Sequence, residues 1–149
     1  MDIVTGRGKR AINVCLSDED YLQFLDIVQD ASDEYKFEIY SFCLMNNHYH
    51  LLLKTNHKNL SILMQKINSR YGIYFNNKYK RVVPLWQGRF KSWFVYDEKY
   101  LEILIKYIES NPIKANITYS IGQYIWAMSS NSVALPILNY EIIENKGVK

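Results

Sequence analysis

Two histidines lie two positions apart in the stretch MNNHYHLLL, which covers residues 45–53. Successive side chains of a β-strand point to opposite faces, so His48 and His50 would share one face and Tyr49 would lie on the other. Two imidazoles at this spacing can both reach a single divalent metal ion. Two ligands are too few for a structural zinc site, so a metal site here would be open and would need a third ligand. Chance is the competing explanation for such a pair by itself.

A tyrosine and an asparagine four residues apart supply further reactive groups. Residues 97–110 have apolar side chains at helical spacing, and Tyr107 and Asn111 are neighbours on the edge of that apolar stripe. The side-chain oxygen of Asn111 suits Mg²⁺ or Mn²⁺, and Tyr107 can act as a nucleophile that forms a covalent intermediate. Tyr100, about two turns earlier, is a second candidate nucleophile. The alternative is that Tyr107 is a boundary aromatic residue and that Asn111 caps the helix.

A basic segment without acids separates the histidines from the tyrosine. Residues 54–91 hold nine Lys/Arg and no Asp or Glu, whereas the whole chain has a formal net charge of +3. A solvated face usually carries both signs, so this segment predicts a polyanion partner such as nucleic acid. Aromatic residues lie between the cations, and exposed aromatic rings stack on unpaired bases. The predicted DNA contacts are Arg70, Lys78, Lys80, Arg81, Trp86, Arg89 and Lys91, with Arg7 in a second basic cluster near the start.

Hydrophobic periodicity predicts the elements that would position these residues. Strands are predicted at residues 3–6, 12–16, 37–45 and 48–54 and within 86–96. Helices are predicted at residues 17–34, 60–77 and 97–110, with a basic loop at 78–84. Ser17 is expected to cap the first helix, Pro112 to end the last, and Asn46-Asn47 to form a hairpin turn. The order β-α-β-β-α-β-α predicts an α+β fold, an antiparallel sheet with helices packed on it.

The composition limits the class of protein. With 149 residues, 48% of them hydrophobic, the chain is expected to form one domain with an ordinary core. No apolar run is long enough to cross a membrane, and no signal peptide is expected at the start. Cys15 and Cys43 are expected to be reduced thiols of a cytoplasmic protein, with Cys43 in the core. His57 is expected at the surface.

Three motifs in this order resemble those of the HUH-type, single-tyrosine transposases: CLMNNHYHLLL, LWQGRFKS and YIESNPIKA. The REP-associated tyrosine transposases and related insertion-sequence enzymes look like the nearest group. The resemblance covers about residues 4–118, and residues 119–149 form a tail without an assigned role. The sequence differs from the family pattern at Asn46, where members usually carry proline, and in its short lead-in before the first RG turn.

The resemblance implies a ferredoxin-like, RRM-like sheet with helices on one side. It also implies a divalent metal, Mg²⁺ or Mn²⁺, held by His48, His50 and Asn111, and a catalytic Tyr107. Such an enzyme cleaves and rejoins single-stranded DNA near a hairpin through a 5′-phosphotyrosine intermediate, without ATP. Relatives act as monomers or as homodimers that exchange the tyrosine helix, so both assemblies are open. A nucleoid-associated location is expected on the same basis.

Two other functions are open from the sequence. A domesticated relative could bind hairpin DNA without cleaving it, although such a protein has no evident reason to keep His48, His50, Tyr107 and Asn111. An RRM-type RNA-binding domain would share the fold. RNA recognition by that domain places aromatic residues on the sheet face, whereas this chain is predicted to place histidines on a central strand.

Overall fold

A five-stranded antiparallel sheet with two long helices forms the core of the chain, in a computed structural model that describes residues 1–95, 103, 105–108, 112 and 126–129. The elements are β1 (Asp2–Arg7), a 3-10 helix (Lys9–Ala11), α1 (Asp18–Tyr35), β2 (Phe37–Leu44), β3 (His48–Thr55), α2 (Leu60–Tyr79), β4 (Lys91–Phe94) and β5 (Ala127–Ser129). The strands lie in the order β4-β1-β3-β2-β5. The first four follow the ferredoxin-like order, which confirms the predicted α+β fold.

β3 is the middle strand of the sheet and pairs antiparallel with β1 on one side and β2 on the other. His50 lies opposite Thr5 of β1 and opposite Cys43 of β2. The turn Asn46-Asn47 joins β2 to β3, and the backbone N–H of Met45 donates to the carbonyl of His48 at 2.8 Å. The predicted hairpin is therefore confirmed.

Each face of the sheet has its own apolar cluster. Tyr49, Leu51 and Leu53 of β3 are buried in the cluster that includes α1 and α2. Leu52 points to the opposite face and is buried with Ile3 of β1. Burying a large apolar side chain contributes about 1.5–3 kcal/mol, so a one-residue slip of β3, which exchanges the faces, is strongly disfavoured.

A buried carboxylate connects α1 to α2. The side chain of Asp20 is fully buried and accepts hydrogen bonds from Tyr74 Oη at 2.7 Å, Tyr79 Oη at 2.5 Å and Lys78 Nζ at 2.9 Å. It also accepts a hydrogen bond from the backbone N–H of Leu16 at 2.8 Å. Because three of these donors belong to α2 and the acceptor belongs to α1, Asp20 holds the two helices in a fixed relation beside the sheet.

Residues 12–16 do not form the predicted strand. The backbone N–H groups of Val14 and Cys15 both donate to the carbonyl of Asn46, at 2.7 and 3.2 Å. These bonds converge on one carbonyl of the β2–β3 turn rather than forming a ladder with a neighbouring strand. The alternating apolar pattern reflects the burial of Val14 and Cys15 against the core and not a strand.

Helix ends differ from the prediction in two places. Ser17 is the N-cap of α1, but its hydroxyl makes no capping hydrogen bond to the helix backbone. α2 continues to Tyr79, so the loop predicted from residue 78 begins at Lys80, whose φ of 53° ends the helix. Pro112, predicted to end the last helix, has a helical backbone itself, and the residues on either side of it lie outside the described residues.

The last part of the chain contributes a strand that the sequence analysis did not predict. β5 pairs antiparallel with β2, and the buried Trp126 stacks on Tyr21 of α1 with ring centroids 4.7 Å apart. Residues 103 and 105–108 are helical, as predicted. Tyr100 and Asn111 lie outside the described residues.

Both cysteines are free and Cys43 is buried, as predicted; Cys15 is buried as well, and burial raises the pKa of each thiol to about 12. Neither is therefore a reactive thiolate at neutral pH. His57 is exposed, which confirms its predicted position. In the part of the chain that the structure describes, no helix is both long and apolar enough to cross a membrane.

Replacing Asp20 by alanine is expected to lower the free energy of unfolding by about 3–5 kcal/mol at pH 7, because the substitution leaves the Lys78 ammonium without its buried partner. Glu19→Ala is the matched control, since Glu19 lies 3.5 Å from Lys78 Nζ but has a side chain that is 73% exposed. It should cost about 0–1 kcal/mol. Urea denaturation of both variants measures the difference.

The effect of Asp20→Ala should also depend on pH. Burial raises the pKa of Asp20, but hydrogen bonds from Tyr79, Lys78 and Tyr74 outweigh it and hold the pKa below the ordinary value of 3.8. A carboxyl group whose pKa is lower in the folded than in the unfolded state stabilises the fold fully above its unfolded pKa. That stabilisation is lost as the pH falls through the pKa of the folded state. The difference in the free energy of unfolding between wild type and Asp20→Ala should therefore decrease below pH 3.8. A difference in the free energy of unfolding that stays constant from pH 7 to pH 2 would contradict this role of the ionised Asp20 carboxylate.

Candidate active site

The two histidines lie on the sheet face opposite α1 and α2, as the alternation along β3 predicts. Strand register places His48 beside Arg7 of β1. One row across the sheet contains His50 of β3, Thr5 of β1 and Lys91 of β4. The sheet thus brings two imidazoles and two cations to one surface.

The two imidazole rings are close and approximately perpendicular, with centroids 5.2 Å apart and planes at 89°. His48 Nδ1 lies 2.6 Å from Oδ1 of Asn47. An amide oxygen only accepts hydrogen bonds, so this contact favours the tautomer with a proton on Nδ1 and leaves the Nε2 lone pair available. His50 is 8% exposed, and its Nδ1 has no hydrogen-bond partner among the described residues.

Both histidines are held in the neutral form. Burial lowers the pKa of His50 to about 4, with further contributions from His48 and Arg7. Burial and the charge of Arg7 also lower the pKa of His48. A neutral imidazole is the form that coordinates a metal ion, so neither side chain has to lose a proton at neutral pH before binding one.

Tyr107 lies next to His50 of the same chain, with ring centroids 6.1 Å apart and planes at 81°. Its side chain is 45% exposed. Both residues line an open cavity of about 720 Å³, together with Arg7, Arg89 and Lys91. The described lining residues include no Asp or Glu. A phenol and an imidazole therefore share a cavity whose charged groups, among the described residues, are cations.

The two described donors of this site, His48 and His50, fit a divalent metal ion. His48 and His50 are neutral, share a face and are close enough to contact one ion. Nδ1 of His50 has no hydrogen-bond partner among the described residues and is free to coordinate that ion. No group of three or more His, Cys, Asp or Glu side chains in the described residues could hold a metal. The pair would need a further ligand. Asn111, the predicted third ligand, lies outside the described residues.

Three of the predicted DNA contacts do not line this cavity, and two of them form ion pairs within the fold. Arg70 forms an ion pair with Glu34 at 2.8 Å, and Lys78 forms one with Asp20 at 2.9 Å. Lys80 is exposed at the end of α2. The charges of Arg70 and Lys78 are thus offset within the protein, whereas Arg7, Arg89 and Lys91 are part of the cavity.

The remaining two predicted contacts pack against aromatic residues of the core. The guanidinium carbon of Arg81 lies 5.6 Å from the ring centroid of Phe75. Trp86 is half-buried, donates from Nε1 to the carbonyl of Asn68 at 2.9 Å and packs edge-on against Tyr49 with centroids 5.5 Å apart. The indole of Trp86 therefore has a structural role in this fold.

The cavity also contains two residues that the sequence analysis did not single out, Thr5 and Gln87. Trp93, one of the aromatic residues beside the cations of the basic segment, lines it as well. Gln87 lies within the motif LWQGRFKS, and its backbone N–H donates to the carbonyl of Arg7 at 2.7 Å. Trp93 follows Lys91 by two positions in β4, so strand alternation would have placed both on one face once the start of β4 was known.

Comparison with known proteins agrees with this fold. The model of the IS200-like transposases matches residues 7–111, which is more than half of the chain. A solved structure of a REP-associated tyrosine transposase bound to a REP hairpin has a TM-score of 0.70 at 17% identity, over 85% of this chain and 74% of that one. A transposase candidate from Deinococcus radiodurans R1 has a TM-score of 0.51 at 17% identity, over 74% of this chain and 89% of that one.

No curated protein sequence matches the chain. At 17% identity the two structural similarities establish the fold alone. The family match is independent of them and covers the histidine pair, the basic segment and Tyr107. The chain therefore belongs to the IS200-like transposase family.

Proposed function

We propose that this transposase is a metal-dependent enzyme that cleaves and rejoins single-stranded DNA near a hairpin, with Tyr107 as its nucleophile. The observation that carries the proposal is the position of Tyr107, whose ring lies 6.1 Å from that of His50. Both side chains line the cationic cavity. A nucleophile, a metal-ligand candidate and phosphate-binding cations at one place are the groups that phosphodiester cleavage needs.

The charge of the cavity supports a nucleic acid substrate. Arg7, Arg89 and Lys91 can each contact a phosphate, and the described lining residues carry no acid that would repel one. The structurally similar REP-associated transposase is bound to a REP hairpin. We therefore propose a hairpin-bearing single strand as the substrate, with the scissile phosphate between Tyr107 and the histidines.

In the proposed reaction the phenol oxygen of Tyr107 attacks the phosphorus atom and the bond to the 3′ oxygen breaks. The products are a 5′-phosphotyrosine and a free 3′-hydroxyl, and the proton of the phenol passes, overall, to the departing oxygen. The phosphotyrosine conserves the phosphodiester bond, so attack by a 3′-hydroxyl reverses the step and rejoins DNA without ATP. Arg89 and Lys91 would hold the phosphate while its negative charge increases.

Transposases of this family are in general metal-dependent. We propose that His48, His50 and Asn111 hold a divalent ion, Mg²⁺ or Mn²⁺. Such an ion, when bound, supplies Lewis-acid stabilisation of the charge on the scissile phosphate. Asn47 would orient His48 through the 2.6 Å contact with its Nδ1.

Tyr107→Phe is expected to abolish covalent attachment to DNA, because it removes only the nucleophilic oxygen. The assay uses labelled single strands that carry a hairpin with randomised flanks, Mg²⁺ or Mn²⁺, and detection of an SDS-resistant adduct. Tyr35→Phe, at the end of α1, should form the adduct like wild type. If wild type forms no adduct and binds the hairpin tightly with the same affinity in the presence of EDTA, the chain is instead a non-cleaving DNA-binding protein.

Mixing two inactive variants tests whether the site is completed within one chain. Because Tyr107 contacts His50 of its own chain, we expect that Tyr107→Phe mixed with a His48→Ala/His50→Ala variant stays inactive. A homodimer that exchanges the tyrosine helix would assemble one intact site in the mixture and restore the adduct. Recovery of a substantial fraction of the wild-type yield would therefore show that the site is shared between two chains.

Asn47→Ala is expected to weaken Mn²⁺ binding by about 10- to 100-fold, because His48 loses the group that fixes its tautomer and orientation. Asn46→Ala is the matched control, since the Asn46 side chain contacts Asn13 at 3.0 Å and not a histidine. Electron paramagnetic resonance of free Mn²⁺ during a titration measures both affinities. Equal affinities in the two variants would exclude this role for Asn47.

A further inference from the structure

Trp93 is a large apolar side chain that the fold leaves exposed. It lies in β4, at the edge of the described sheet, and 55% of its surface is accessible. Its indole makes no hydrogen bond or ring contact with the residues that the structure describes. An exposed aromatic ring is available to stack on an unpaired base.

Strand register places Trp93 on the same face as the histidines. It lies opposite Ile3, which in turn lies opposite Leu52 of β3. The neighbouring row contains Lys91, Thr5 and His50 in the same order across the sheet. Trp93 is thus one row away from His50, and its nearest same-face neighbour along β4 is the cation Lys91.

The surroundings of Trp93 favour one kind of occupant. Trp93 lines the cavity with Arg7, Arg89, Lys91 and Tyr107, and no acid is found among the described lining residues. A cation and an aromatic ring on one face can bind the phosphate and the base of the same strand, which is how proteins hold unpaired nucleic acid. An apolar partner protein would leave these cations without counterions.

We propose that Trp93 is a stacking platform for an unpaired base of the DNA strand that enters the cavity beside Tyr107. Lys91 holds the adjoining phosphate, so the pair positions the strand along β4 and toward His50. This assignment rests on the proposed function, because it places the base next to the scissile phosphate. Trp86, which the sequence favoured for this role, is occupied by Asn68 and Tyr49.

The test measures binding of a labelled oligothymidylate of 12 nucleotides by fluorescence anisotropy, at low salt and with EDTA. Trp93→Ala should weaken binding by about 5- to 150-fold, the effect of losing one stacked base. Trp93→Phe keeps a ring and should retain most of the affinity. Ile62→Ala is the control, since Ile62 of α2 is 54% exposed and does not line the cavity. It should leave binding unchanged.

A strand of the same length that carries abasic sites at every position separates stacking from structure. Wild type and Trp93→Ala should bind it equally, because no base is present to stack. An unchanged affinity of Trp93→Ala for oligothymidylate, or an equal loss on the abasic strand, would overturn the proposal. So would tighter and more Trp93-dependent binding of oligouridylate, which would indicate an RNA site. Because binding is measured in EDTA, its outcome is independent of whether Tyr107 forms an adduct.

Discussion

The alternation of side chains along β3 is the constraint on which the site depends. On one face Tyr49, Leu51 and Leu53 are buried against the helices, and on the other His48 and His50 line up beside β1. Each buried apolar side chain contributes about 1.5–3 kcal/mol, and a typical domain has a stability of only about 5–15 kcal/mol. The apolar cluster between the sheet and the two helices α1 and α2 therefore fixes the face of the histidines, although it lies on the other side of the sheet.

The residue between the two histidines is held especially firmly. The ring of Tyr49 lies directly over Gly6 of β1, where a β-carbon would stand only 2.5 Å from Cζ. Its hydroxyl donates to Asn68 Oδ1 of α2 at 2.8 Å. Glycine at this position lets the ring cross the strand, and α2 then fixes the ring from its far end. The backbone that carries both imidazoles is thereby connected to the helix layer, which limits movement of the candidate ligands.

The sequence predicts features that depend on a local repeat of side chains, such as the faces of a strand. It does not predict contacts between residues that are distant along the chain. Alternation in MNNHYHLLL was sufficient to assign the faces of β3. The partner of Lys78 could not be predicted, because Asp20 is 58 positions away and meets it only after α1 packs on α2. The same limit applies to the choice between tryptophans: Trp86 is held by the carbonyl of Asn68, 18 residues earlier, whereas Trp93 is exposed on an edge strand.

The electrostatics of the cavity explain why cations and histidines can be neighbours. Burial and the charge of Arg7 both lower the pKa values of His48 and His50, so the imidazoles stay neutral and add no positive charge to Arg7, Arg89 and Lys91. A phosphate entering the cavity would gain from the cations without meeting a carboxylate among the described lining residues. The neutral imidazoles retain lone pairs for a metal ion at the same time. The neutral imidazoles thus offer lone pairs to an ion, while the cations offer their charge to a phosphate.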